Sequence, residues 1–417
     1  MRILMLNNEF PPLGGGTGVV NYHLLKELAA YSEITVDLVT SSRTRSTFER
    51  EQFAERITIY KVPVHNQNIH HSTNPELLRY SWHGIRLCWR LMGTHRYDLS
   101  FAFAGVPAGA VSYLLQKTNG LPYIVSLQGP DVPGFEARYN YLYPFLTPLL
   151  RKVWGNATAV IAISREHRNL ALQTMPDLEI PIIYNGVETE SFTPARQPST
   201  TIRLLCVGRL IERKGQQHLL RAFALLRSRV KDHDIRLTLV GTGDNEATLR
   251  QMSHDLGIAD GVVFRGFVSR EHMPAVYHDA DVFVLPSQNE GMSIALLEAM
   301  ASGLPVVVTN TGGTEELVTA GDNGLIVQWG DVNNLADALE RLVRQPDRRT
   351  KMGARSRARA CALSWSEIAR QYIEVMQRAL APRGADRSRG SLIIGTSFTP
   401  SASSKPDGSE TTELFHP

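Results

Sequence analysis

The 417-residue chain has little cysteine: Cys88, Cys206 and Cys361 stand far apart and form no Cys-x-x-Cys pair. That spacing excludes a disulfide scaffold or a zinc ribbon, and reads as three small buried apolar residues in a reducing compartment. Strong charge of one sign is also missing. A net charge of +3 is too small to imply nucleic-acid binding. Long hydrophobic runs are absent, since no window of eighteen apolar residues occurs and the apolar run in "MRILMLNNEFPP" is too short for a signal peptide. The expected location is the cytoplasm. What remains is ordinary globular composition, 43% hydrophobic and 20% charged, at a length that suits about two domains.

Short β-rich apolar runs alternate with helix-length segments throughout. The first half holds "RILMLN", "TVDLVT", "ITIYKV", "LSFAFA", "YIVSLQ" and "AVIAIS". The second holds "IRLLCVG", "RLTLVG", "VVFRG", "VFVLPS", "PVVVTN" and "GLIVQ". Continuous apolar strands separated by helices predict parallel sheets covered on both faces, hence an α/β chain of two doubly wound, Rossmann-like domains. The polar, proline-containing stretch 185–201 predicts a linker between residues 1–184 and 202–363. A helix is expected over 364–381. Residues 382–417 are rich in Ser, Thr, Gly and Pro and predict a disordered tail.

Such a pair of domains binds ligands beyond the carboxyl ends of its strands, so the loops after strands carry the search. Behind "RILML" lies "NNEFPPLGGGTG", with Gly14, Gly15 and Gly16 before a helix. A Walker loop would end in Gly-Lys-Ser/Thr, and here Thr17-Gly18-Val19 follows. A dinucleotide fingerprint fails at Asn21, where its third glycine belongs. After "LLCVG", one loop gathers Arg209, Arg213 and Lys214 at a helix start. Cations there oppose the helix dipole, and an anion such as a diphosphate would relieve them; a solvated basic loop is the plain alternative. Glu290 precedes the Gly291-Met292-Ser293 helix start, and Glu298 sits in the apolar "IALLEAMA", where a carboxylate must find partners or point outward. Vicinal sugar hydroxyls are natural partners for both acids. "LVGTGDNE" reads as a tight strand-to-helix turn, because Glu246 replaces the third glycine. In "FRGFV", the backbone through Val268 and the ring of Phe267 either border a nucleobase or belong to the core.

Taken together, "VGRLIERKG" (207–215), "LVGTGD" (239–244), "FRGFV" (264–268), "EGMSIALLEAMASGLPVVVTNTGGTEE" (290–316) and "DNGLIV" (322–327) resemble the family-four retaining glycosyltransferases of GT-B fold. The first half is similar more loosely, through "NNEFPPLGGGTG", "SLQGPD" and "IIYNGVETESFTP". The resemblance covers residues 1 to about 381 and implies that "SWSEIARQYIEVMQRAL" crosses back onto the first domain. It implies that Arg209 and Lys214 neutralise a donor diphosphate, that Glu298 holds the ribose, and that Glu290 faces the donor sugar. Gly291, Met292 and Ser293 would contact that sugar and the phosphates through their backbone, while Gly15 and Gly16 close over the donor. Gln128 stands where the family commonly has a histidine near the reacting centre, a departure that puts side-chain acid–base chemistry there in question and that would be tolerated if the residue acts through its backbone carbonyl. Asp131 either positions a hydroxyl or caps a turn.

The implied reaction moves a sugar from a UDP- or GDP-linked donor to a glycan or lipid-linked acceptor hydroxyl with retention, as in polysaccharide or glycolipid biosynthesis. Fixed cations would stabilise the departing diphosphate. No Asp-x-Asp follows a strand, which agrees with catalysis needing no metal and no cofactor beyond the donor. Rival readings are a GT-B-type epimerase and a non-catalytic nucleotide-sugar-binding protein. One further segment bears on the acceptor. Residues 77–96 place Leu78, Trp82, Ile85, Trp89 and Met92 on one helical stripe, with Arg79, Arg86 and Arg90 about 100° round the helix. Either the Trp stripe packs on the first domain's sheet, or a basic amphipathic helix rests on the inner face of a membrane.

Overall fold

The computed structural model describes residues 1–68, 72–136, 139–194 and 199–381. Every apolar run named above is a strand. The first sheet comprises β1 (Arg2–Leu6), β2 (Thr35–Ser42), β3 (Glu49–Ala54), β4 (Ile57–Pro63), β5 (Leu99–Phe103), β6 (Tyr123–Leu127) and β7 (Ala159–Ala162). Their order is β3-β4-β2-β1-β5-β6-β7, parallel except for the β3–β4 hairpin. The second sheet comprises β8 (Thr201–Val207), β9 (Asp234–Val240), β10 (Val262–Gly266), β11 (Val282–Leu285), β12 (Val306–Thr309) and β13 (Gly324–Val327). It is wholly parallel, in the order β10-β9-β8-β11-β12-β13. Strands β5, β6, β11 and β12 are buried along their whole length, as parallel strands covered by helices on both faces must be.

Both sheets reverse their winding beside the first strand of their domain, at β1/β5 and at β8/β11. Loops leaving the strands on either side of such a point diverge and open a crevice. The two crevices face one another. The loops after β1, β5, β8 and β11 therefore supply the walls of a single cleft.

The last helix among the described residues, Trp365–Leu380, starts at Ser364, whose hydroxyl accepts from the Glu367 backbone N–H. It packs beside helix Gly16–Leu28 on the first sheet, where the Tyr372 and Phe101 rings meet edge-on at 5.7 Å. Truncating a buried aromatic of this kind to Ala costs about 3–5 kcal/mol, so this crossing is a large share of the domain's cohesion. The segment that joins the domains is also anchored. Phe192 is buried against Tyr277, their rings 5.5 Å apart. The tail expected to be disordered, 382–417, lies outside the described residues.

Two sequence expectations change here. Helix Asn74–Thr94 is set by a capping box between Thr73 and Glu76, and it buries Tyr80, Leu87, Cys88 and Leu91. Its Trp stripe divides: Ile85 and Met92 pack at the margin of the core, while Leu78, Trp82 and Trp89 face outward, exposed at 72%, 61% and 45%. Both stripes recur at helical spacing, and the Tyr80 hydroxyl donating to the Val39 carbonyl at 3.0 Å belongs to the buried one. Second, Cys88 and Cys206 are buried, their thiols pushed up to about 12 by desolvation, but Cys361 is exposed.

Candidate active site

Between the domains lies a cavity of about 430 Å³. Gly15, Gly16, Gln128 and Asp131 line it from the first domain; Arg209, Lys214, Glu290, Gly291, Met292 and Ser293 line it from the second. Ten residues from four separate loops, after β1, β6, β8 and β11, thus line one cavity.

The second-domain wall carries the charge. After β8 the chain makes a short 3-10 turn, Glu212–Lys214, held to the β11 loop by the Gln288 N–H donating to the Arg213 carbonyl at 2.8 Å. That register brings Lys214 Nζ to 2.5 Å from Glu290 Oε1, with both side chains mostly shielded. Burial opposes ionisation of Glu290, yet the Lys214 ammonium holds its carboxyl below the ordinary value. The two residues read separately from the sequence, one for phosphate and one for sugar, are therefore a single ion pair. Gly241 and Gly243 serve the same wall by close approach. A Cβ on Gly241 would sit 2.2 Å from the Gly208 carbonyl oxygen, so "GTGDNE" is a packing turn against the Arg209 loop.

The first-domain wall combines the open glycine loop with polar side chains. Gly14 has φ +95°, and a Cβ there would come within 2.5 Å of Glu9. At Gly15 and Gly16 a Cβ would meet nothing within 4 Å, because both face the cavity. The sequence reading missed Glu9, whose Oε2 accepts the Gly15 N–H at 3.3 Å. Desolvation pushes the Glu9 carboxyl up, with Gly15 and Arg209 opposing. Its only sequence signal is an acid placed just ahead of the glycines. Gln128 donates from Nε2 to Ser126 Oγ at 2.8 Å. Asp131 accepts three backbone N–H groups, from Gly105 at 2.8 Å, Gln128 at 3.1 Å and Gly129 at 2.9 Å. These bonds make Asp131 a cap of the turn, and the residue also lines the cavity.

Three predicted residues stand apart from the cavity's lining. Glu298 is buried and does find partners: Oε1 accepts from Arg270 Nη1 and Oε2 from the Tyr277 hydroxyl, each at 2.9 Å. Burial raises its pKa, and Arg270 and Tyr277 counter that. Arg270 in turn donates from Nε to His23 Nε2 at 2.8 Å, across the domain seam. His23 stacks on Trp365 with centroids 5.1 Å apart, and burial, then Arg270 and Lys26, push its pKa down to about 3. Phe267 is 69% exposed, which rules out the core alternative for its ring, whereas Val268 packs at the core's margin.

Sequence reasoning also missed the residues that pin the seam. Asn185 Nδ2 donates to the Met292 carbonyl at 3.2 Å, and Asn289 Nδ2 to the Phe135 carbonyl at 2.6 Å. His167, buried against Phe135 and 2.9 Å from Ser164 Oγ, fills the space a side chain at Gly291 would need. Burial pushes its pKa down to about 4. Single polar residues in loops carry no periodicity, so nothing in the sequence singled these out.

Two Rossmann-like domains facing across a cleft, cations on one wall and open glycine backbone on the other, define the GT-B class. Residues 14–191 match the model described as Glycosyltransferase Family 4, and residues 187–359 the one described as Glycosyl transferases group 1. The chain is 30% identical over 373 residues to the GDP-mannose-dependent alpha-(1-6)-phosphatidylinositol monomannoside mannosyltransferase of Mycolicibacterium smegmatis, covering 85% of this chain and 92% of that one. It belongs to the group 1 glycosyltransferases of family four. A D-inositol 3-phosphate glycosyltransferase of Pseudarthrobacter chlorophenolicus is 34% identical over 261 residues, 60% of this chain and 61% of that one. Among solved structures, sucrose-phosphate synthase from Thermosynechococcus elongatus superposes with TM-score 0.78 at 22% identity, covering 91% of this chain and 98% of that one. An Anabaena protein in complex with UDP and glucose gives 0.70 at 20% identity, over 91% and 100%. These two likenesses concern the fold. Among the described residues, no group of three or more His, Cys, Asp or Glu is placed to hold a metal ion.

Proposed function

We propose that this glycosyltransferase moves a sugar from a nucleoside-diphosphate sugar to a hydroxyl of a glycolipid or glycan acceptor, with retention at the anomeric carbon and without a metal. The observation that carries the reading is the shared cavity, where Arg209 and Lys214 stand opposite Gly15 and Gly16. The cations would take the diphosphate, and the glycines would let the first domain's backbone close over it. The bond from the anomeric carbon to the diphosphate oxygen breaks as the acceptor oxygen bonds to the same face. The acceptor's proton passes to the departing phosphate oxygen. Glu290 is engaged by Lys214, which suits a polar contact to the donor sugar better than a nucleophile's role.

The Mycolicibacterium relative's name supports GDP-mannose as donor and a lipid acceptor, which would place the enzyme in the cytoplasm at the inner face of the membrane. Glu298 would hold the ribose on exchanging its Arg270 contact for the sugar hydroxyls. Titration of the purified chain with GDP and with UDP tests the reading. Saturable binding of GDP well ahead of UDP is expected, and binding of neither would overturn it.

A further inference from the structure

The outward Trp stripe asks what covers it. We propose that the outer face of helix 74–94 docks on an anionic phospholipid bilayer and holds the first-domain mouth of the cleft against it. This deepens the glycolipid reading above and rests on it.

Four observations converge on a bilayer. The helix already has a complete inner face in Tyr80, Leu87, Cys88 and Leu91, so Leu78, Trp82 and Trp89 are surplus to the fold. Arg79, Arg86 and Arg90 are exposed on the same outer side, and the Arg86 guanidinium lies 5.6 Å over the Trp82 ring. The helix's one acid, Glu76, is 4% exposed and accepts the Thr73 and Gln67 N–H groups, so nothing on the helix offsets the outward positive field. Tryptophan beside arginine is the composition that settles at the headgroup boundary, rings among the upper acyl carbons and guanidinium groups on phosphates.

A second aromatic lip adds a geometric reason. Tyr141 and Phe145, 64% and 80% exposed, stand at the start of helix Tyr143–Asn156. Helices 74–94 and 143–156 both pack on the segment Gly105–Gly109, one on each side of helix Ala110–Asn119. Each lip adjoins the cavity wall, through Leu77 on one side and Tyr139 on the other. Two separated apolar lips at one mouth suit an extended surface, whereas a docked peptide would need a groove between them. Beside the first lip, Arg45, His65, Arg79 and His83 enclose a second cavity of about 530 Å³, a basic recess that a lipid phosphate fits. Among the described residues no helix is long and apolar enough to cross a membrane, so the contact is peripheral.

The full chain is floated with vesicles of phosphatidylcholine alone and of phosphatidylcholine mixed with phosphatidylglycerol. Binding to the anionic vesicles is expected, weakened about tenfold on the neutral ones or in high salt. Trp82→Ser with Trp89→Ser, and separately Arg79→Glu with Arg86→Glu and Arg90→Glu, should each lose about tenfold or more of that binding. Far-ultraviolet circular dichroism and the melting temperature check that each variant is folded, and GDP or UDP titration reads the donor site separately, since the cations assigned to the nucleotide lie in the other domain. The single exposed change Trp82→Ser keeps the test open if a multiple variant does not fold. Wild-type protein that stays with neither vesicle, or variants that float as well as wild type, would overturn the proposal. Vesicle binding without nucleotide binding would instead strike the donor reading and leave the surface standing.

Discussion

The two walls of the cleft are built from opposite materials. The second domain offers fixed charge, with Arg209 and Lys214 in the loop after β8 and Glu290 paired to Lys214 from the loop after β11. The first offers no cation in the lining but two open glycines, Gln128, and two acids engaged by backbone N–H groups, Glu9 by one and Asp131 by three. A leaving diphosphate has one charge pattern whatever the acceptor, so its binding side benefits from rigid charges fixed in advance. A loop that closes over variable acceptors benefits from lacking side chains, as Gly15 and Gly16 do. The difference separates the electrostatic task from the steric one.

Lys214→Ala attacks the charged wall and carries the largest expected effect. Loss of one charge-assisted contact is worth about 1.5–3 kcal/mol, so turnover should fall about tenfold to a hundredfold. The variant also strands the Glu290 carboxylate, and the melting temperature should drop with it. Adding Glu290→Gln should recover stability but not turnover, a non-additivity that a double-mutant cycle reads directly. An unchanged rate for Lys214→Ala would remove the residue from the mechanism.

Gly15→Leu probes the other wall. A side chain there projects into the open cavity, so turnover should fall about tenfold while stability stays within about 0.5 kcal/mol of wild type. Gly14→Ala should do the reverse, losing about 1 kcal/mol or more because φ +95° and the Glu9 contact leave no room. Equal losses of stability in the two variants would erase the distinction between cavity glycine and turn glycine.

At the seam between the walls the lever is pH. His23 and His167 are held neutral by burial, with pKa values pushed down to about 3 and about 4 from 6.5. Between pH 6.5 and 4 the unfolded chain binds protons that the folded one refuses, so stability falls as pH falls across that window. Urea midpoints should decline over it, and His167→Gln should flatten the decline. A decline that the substitution leaves untouched would assign the acid sensitivity elsewhere.

Most of the fold was legible because buried parallel strands write continuous apolar runs. The strand that escaped notice, β3, reads "EREQFA", and as an exposed edge paired only to β4 it has no apolar pattern to show. Helix 74–94 was legible as a helix but not in its rotation. Apolar residues recur on two stripes, and only the sheet beneath decides which one is covered. Site residues in loops at strand ends were found where several charges cluster, as around Arg209 and Lys214. The Lys214–Glu290 pairing was not, because 76 positions separate the partners and only the β8/β11 adjacency joins them. Glu298's escape into Arg270, Tyr277 and the domain seam was invisible for the same reason.

The helix that crosses back has a consequence for how the protein is made. One layer over the first sheet is completed by residues 365–380, which leave the ribosome only after the whole second domain. Until then Phe101 lacks its Tyr372 partner, and the nascent first domain carries an uncovered apolar strip through the synthesis of well over a hundred residues. Domains usually settle in order from the amino terminus. Here the first to emerge is the last to be finished, so chaperone occupancy on the ribosome should persist until the final helix appears.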